Sequence, residues 1–161
     1  MANDYFLKID GIEGESQDSK NPGAIQLESF GWGMTQTGTF ANGGGGGAGK
    51  VQMQDCHFVM KHGKASPKLM LACAEGEHFK KAVLTARKAG KEQREFLKLT
   101  LSDVLVSSYQ TGGSGGHDEI PTDQISLNFA KIEHEYKEQK AGGELGGVIK
   151  AGFDLKLMKR T

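Results

Sequence analysis

At 161 residues the chain can bury one sizeable core and is too short for two comfortable ones. Twenty Lys and Arg balance twenty Asp and Glu, so the basic excess that marks nucleic-acid and anionic-membrane binders is missing. Leu, Ile, Val and Phe supply about a fifth of the residues and the 24 glycines about twice the usual share, which predicts one folded domain over 1–161 with a thin core that relies on partner subunits to finish burying its apolar surface.

The opening MANDYFLKID carries acidic residues and only short apolar runs, and no later run is long enough to span a bilayer. The chain is therefore expected to be made in the cytoplasm without a signal peptide, with no membrane insertion and with Cys56 and Cys73 reduced. Tyr5, Leu7 and Ile9 alternate with Phe6 and Lys8, and Ile25, Leu27 and Ser29 alternate with Gln26 and Glu28; both stretches read as strands with one buried face.

FANGGGGGAGKV follows over residues 40–51. Gly44, Gly49 and Lys50 fit the first seven places of the phosphate-binding pattern G-x-x-x-x-G-K-[ST]. A phosphate cradle needs a hydroxyl after the lysine and a helix directly behind it, whose first N–H groups hold the anion. Val51 replaces the hydroxyl, and VQMQDCHF alternates like a strand. The run reads as a strand-to-strand loop, and no nucleotide or other cofactor is expected.

Beyond the loop, Val51, Met53 and Asp55 change phase to Cys56, Phe58 and Met60, which predicts a bulge near Asp55. SPKLMLACAEG predicts one helix, with Ser66 as N-cap, Pro67 at its first position and Gly76 as its stop. Residues 79–90 are ambiguous; Ala and Lys content argues for helix, Val-Leu-Thr for strand, and propensity alone selects helix. Residues 96–108 and 153–158 read as strands, as does a second phase-shifted pair in which Ile125, Leu127 and Phe129 hand over to Ile132, His134 and Tyr136. Two long bulged strands point to a curled sheet or barrel. The glycine-rich stretches 43–49, 111–116 and 141–147 connect strands of one sheet system.

Few residues carry chemistry. Cys56, His57, His62, Cys73 and His78 could in type ligate zinc, but neighbours on a strand face opposite ways and no C-x-x-C or H-x-x-x-H clip is present, so buried cysteines and surface histidines are expected and no metal. Nothing marks a Cys56–His134 pair as a nucleophile, and the charges of KIEHEYKEQK, residues 131–140, read as the outer part of a long strand.

MANDYFLKIDGIEGESQD, FGWGMTQTGTF running into GGGGGAGKV, LMLACAEG, ARKAG, VLVSSYQTGGSGG and ISLNFAKIEHEYKEQKAGG resemble, in that order, the haemolysin-coregulated protein (Hcp) family of bacterial type VI secretion. The resemblance implies a mainly β fold, an antiparallel β-barrel of two packed sheets flanked by one short α-helix, with a strand at residues 79–90. It implies no catalysis. It implies homohexameric rings that stack into a tube, driven out by a contractile sheath with a spike protein at the tip and effector proteins in the lumen. Gly43, Gly44, Gly45, Gly46, Gly47, Ala48, Gly49 and Lys50 then form a loop reaching a neighbouring ring, and Ser114 lies on a loop near the lumen or ring rim. Two other readings are a free-standing secreted effector, which needs a reactive Cys–His pair in a pocket, and a small oligomeric binding barrel, which needs more exposed aromatics than one Trp and three Tyr supply.

Overall fold

The computed structural model describes residues 2–37, 50–90, 92–116 and 118–161. The alternating N-terminal stretches form β1 (Asn3–Ile9) and β2 (Ile25–Gly31), antiparallel with Leu7 opposite Ile25 and Tyr5 opposite Leu27. A two-stranded ribbon follows, made of β3 (Met34–Gln36) and β4 (Val51–Met53). Then come β5 (Cys56–Lys61), the helix α1 (Ser66–Glu75), β6 (His78–Lys88) and the 18-residue β7 (Glu95–Gly112). The chain ends through β8 (Thr122–Asn128), β9 (Lys131–Gln139), β10 (Leu145–Asp154) and the short β11 (Lys159–Arg160).

Strand β7 decides the architecture because it has three neighbours. It pairs with β6 along its first two-thirds, with β9 on its other edge from Leu97 to Ser102, and with β8 from Leu105 to Gly112. The change of partner falls at Asp103, whose φ of 53° kinks the backbone in a region that Asp tolerates better than most residues. Through β7 the order β7-β6-β1-β2-β5-β8 closes on itself, so six strands form a barrel, and β9, β10 and β11 continue the sheet outside it. Closure removes the open edges that a flat sheet would leave. The interior is filled by Leu7, Leu27, Phe58, Met60, Leu84, Leu99, Leu101, Val106, Ile125 and Leu127, all nearly inaccessible.

The barrel expected from the phase-shifted strands is present, but the shifts are breaks rather than bulges. At Gln54 and Asp55 the chain leaves the β3–β4 ribbon and enters the main sheet; at Phe129 and Ala130 it leaves β8 and starts β9. A change of partner sheet resets the inward face just as an inserted residue would. The helix expectation for residues 79–90 gives way to strand β6, held on both edges by β1 and β7, and tertiary pairing overrides the Ala and Lys propensity there.

Helix α1 packs Leu69 and Ala72 on the core and ends at Gly76, whose φ of 65° and N–H bond to the Ala72 and Cys73 carbonyls form a left-handed cap. Ser66 is not its N-cap. Ala65 holds that place, and Ser66, inside the first turn, is fully buried with its hydroxyl donating to Asp123 Oδ2 at 2.5 Å. Residues 153–158 are not one strand either. Asp154 Oδ1 accepts the N–H groups of Lys156 and Leu157, each at 2.9 Å, and this turn closes at Met158 with φ 51° before β11. Gly146 and Gly147, expected in a connection, lie within β10.

Candidate functional site

Two clusters of polar residues tie loops to the barrel. Arg87 on β6 is buried and lies with its guanidinium carbon 4.7 Å from the centre of the Phe6 ring. It grips Asp18 of the β1–β2 connection with two parallel bonds, Nη1 to Oδ2 at 2.8 Å and Nη2 to Oδ1 at 2.7 Å. This fork, helped by bonds from Asn21 and the Lys20 backbone, overrides the effect of desolvation and holds the Asp18 carboxyl down at about 2. Asp123 at the start of β8 is the second anchor. Its Oδ1 faces His62 Nδ1 at 3.0 Å, and its Oδ2 accepts from Ser66 and, at 3.2 Å, from Tyr109. Burial pushes its carboxyl up, yet the bonds from Ser66, Thr111 and His62 outweigh that and leave it below the ordinary range.

The residues weighed as zinc ligands are dispersed by the fold. Cys56 faces the barrel interior, where burial and, second, the Asp55 charge push its thiol up to about 12, so it offers no thiolate. His57, its neighbour, faces outward and meets Ser126 Oγ through Nδ1 at 2.8 Å. His62 belongs to the Asp123 anchor, Cys73 is half-buried on α1 rather than fully buried, and His78 is exposed at the start of β6. His134 sits edge-on to Trp32, with ring centres 6.1 Å apart, away from the Cys56 thiol's place in the core. Among the described residues no His, Cys, Asp and Glu converge as a metal site.

Gly43 to Gly49, expected to reach a neighbouring ring, lie outside the described residues. Lys50 is exposed, and Val51 directly after it opens strand β4, where a phosphate cradle would require a helix. Ser114 is exposed on the connection between β7 and β8, beside Gly116 with φ 87°.

The sheet extension is the surface that sequence reasoning passed over. Along β9, Lys131, Glu133 and Glu135 share one face with Lys150 of β10 and form ion pairs of 3.3 to 3.5 Å. The other face carries Ile132, His134 and Tyr136. Register aligns Ile149 of β10 with Tyr136 of β9, Leu97 of β7, Ala86 of β6 and Tyr5 of β1, so this face is the barrel's own interior face carried outward. Cover fades along it, from Ile132 at 4% exposure to Tyr136 at 40% and Ile149 at 68%. The signal for this was present in the alternation of KIEHEYKEQK, where charge drew attention to the wrong face.

A family model described as "Type VI secretion system effector, Hcp" matches residues 6–136. The chain is 48% identical over 158 residues to protein hcp1 of Pseudomonas aeruginosa, covering 97% of each. Its structure superposes on that of Hcp1 from Salmonella typhimurium with a TM-score of 0.84 at 37% identity and complete coverage of both chains. It superposes on a structure titled as a type six secretion system protein with a TM-score of 0.93 at 30% identity, covering 99% of this chain and 100% of that one.

Proposed function

Because the chain belongs to the Hcp family of type VI secretion, whose members are secreted proteins and not enzymes, we propose that it is the brick of a tube: six copies close into a ring, rings stack, and effector proteins travel in the lumen. The observation that carries this reading is the uncovered continuation of the barrel's interior face onto β9 and β10. An amphipathic sheet whose apolar side ends in Tyr136 and Ile149 is half of an interface, and a closed ring of identical subunits supplies the other half without leaving free surface. Zero net charge allows such copies to approach without long-range repulsion.

In this reading the root formed by β3 and β4 carries the loop Gly43, Gly44, Gly45, Gly46, Gly47, Ala48, Gly49 and Lys50 to the next ring, where a chain without side chains can lie close against another backbone. Ser114 stands at the lumen or rim, and the sheath and the spike protein act on the assembled tube. Negative-stain microscopy and light scattering of the purified protein at micromolar concentration test the reading. Uniform rings with a central hole, stacking into tubes, are expected; replacing Gly45, Gly46 and Gly47 by Val should leave rings and suppress stacking. A monomer across that concentration range overturns it.

A further inference from the structure

Helix α1 is ten residues long, and a helix of that length does not persist in water by itself. Its own sequence does little for its ends. Ala65 at the N-cap offers no side-chain acceptor, no acidic residue stands in the first turn and no basic one in the last. The helix is held against β7 by the burial of Leu69 and Ala72 and by the bond from Ser66, in its first turn, to Asp123 Oδ2. The Asp123 side chain has no exposed surface, and other donors converge on it as well: Tyr109 of β7 at 3.2 Å, Thr111 of the same strand, and His62 just after β5, whose Nδ1 stands 3.0 Å from Oδ1. One buried carboxylate therefore joins the β5–α1 connection, α1, β7 and β8, and it stands at the helix N-terminus, where negative charge is favoured.

We infer that Asp123 is an acid-released latch for α1: while its carboxylate is ionised the helix stays on the barrel, and when it takes up a proton the helix and the turn before it come away and the barrel stays closed. Ionised, its two oxygens can accept from all the donors that face them. Protonated, one oxygen becomes a donor itself and the charge is gone, so buried donors are left competing for the other oxygen. The barrel does not depend on the latch, because β8 keeps its ladders to β5 on one edge and β7 on the other. The titratable groups that face Asp123 are His62 from the β5–α1 connection and Tyr109 from β7, while α1 presents only the Ser66 hydroxyl. Around the outer side of His62, Lys61, Lys64, Glu15 and Glu28 line the same cavity. Burial acts to raise the Asp123 carboxyl, and the bonds from Ser66, Thr111 and His62 outweigh it and leave it below the ordinary 3.8. A carboxyl depressed in this way contributes stability that is fully present above 3.8 and is lost as pH falls through the lower folded value.

Amide hydrogen exchange of the full-length protein tests the latch, followed peptide by peptide from neutral to acid pH and corrected for the intrinsic effect of pH on exchange. Protection from Leu69 to Glu75 should fall several-fold more than protection in β1 and β6, with the step below pH 3.8. Asp123→Asn keeps the shape and removes the charge; its α1 should show the weak protection already at neutral pH and lose the acid step. Asp18→Asn removes a second carboxyl that titrates in this window and should keep the step. If Asp123→Asn does not fold, Ser66→Ala takes its place, since it removes the helix's own bond to the latch and should weaken α1 protection at neutral pH. Protection of α1 that follows β1 and β6 at every pH overturns the inference, whether or not the variants fold, because the helix then leaves only with the whole fold. So does an acid step that survives in Asp123→Asn or vanishes in Asp18→Asn, and so does wild-type protection of α1 in Ser66→Ala.

Discussion

The barrel and the extension built from β9 and β10 are made of the same material and meet opposite fates. Both alternate apolar and polar residues at period two, and both are antiparallel; a single row of side chains runs from Tyr5 through Ala86, Leu97 and Tyr136 to Ile149. Within the barrel Ala86 of that row is buried and Tyr5 and Leu97 are half-buried, because β7 and β8 close the ring of strands, whereas past β7 Tyr136 and Ile149 are exposed. Closure is thus what separates a core from an exposed apolar face. A residue pattern alone cannot tell the two apart, since each asks for the same apolar face, and only the hydrogen-bonded order of the strands says where the cover stops.

The comparison breaks most visibly if the sealed half is emptied. Phe58 is almost wholly inaccessible within the barrel, and Phe58→Ala should lower the unfolding free energy by about 3–5 kcal/mol, through lost transfer energy and the cavity left behind. The matching truncation on the open row, Ile149→Ala, should change the isolated subunit by no more than about 0.5 kcal/mol. Urea titration of both variants, under conditions where each is dispersed to monomers, measures the contrast directly. Similar losses at the two positions would mean that the extension is already buried in the single subunit.

A smaller effect should come from the fork that pins the β1–β2 connection over Phe6. Asp18 is held near a pKa of about 2, against an ordinary 3.8. A carboxyl depressed on folding contributes stability that is fully present above its unfolded value and is lost as pH falls through its folded value. The urea midpoint of the wild-type protein should therefore exceed that of Asp18→Asn at neutral pH, and the difference should shrink between pH 3.8 and 2, where the carboxylate that Arg87 grips takes up its proton. A difference that stays constant across this window would show that the fork does not couple to folding.

What the sequence revealed and what it concealed divide along range. Strands β1 and β2 and the Gly76 stop were legible, because alternation and a left-handed cap are written in neighbouring residues. Ser66 reads locally as a cap, but its hydroxyl answers to Asp123, 57 positions away, and no local rule contains that partner. The Asp18–Arg87 fork spans 69 positions and was invisible for the same reason. Phase changes near Asp55 and Phe129 were seen, while the choice between a bulge and a break depends on which strands lie alongside. Residues 79–90 carry helix-forming Ala and Lys because β6 is a central strand, where small side chains such as Ala82 and Ala86 fit between β1 and β7. The resemblance supplied the strand there, and the residues alone did not. The candidate surface was legible in the alternation of Ile132, His134 and Tyr136, but without the strand order nothing marked where that face goes uncovered.

The finest test leaves the subunit alone and addresses only the open row. Ile149 lies 68% exposed on a strand that pairs with β9 on one edge, so Ile149→Lys replaces a solvent-facing apolar side chain in a β10 whose backbone pairing is untouched. The long lysine stem can follow the same surface with its charge in water, and the single subunit should keep its circular dichroism and its urea midpoint within about 0.5 kcal/mol of wild type. In the proposed ring the same position faces a neighbour. There the ammonium would have to be buried without an acid to receive it, a cost of several kcal/mol at each of the symmetry-related contacts, so one substitution should be multiplied around the closed ring. Light scattering of Ile149→Lys should then report a folded species of monomer mass where the wild-type protein reports a ring. Lys150→Ile on the opposite, ion-paired face serves as the control and should leave the assembly intact, because that side of β10 already meets water. If Ile149→Lys assembles like wild type while Lys150→Ile does not, the interface lies on the charged face of the extension, and the continuation of the barrel's interior row is not what brings the subunits together.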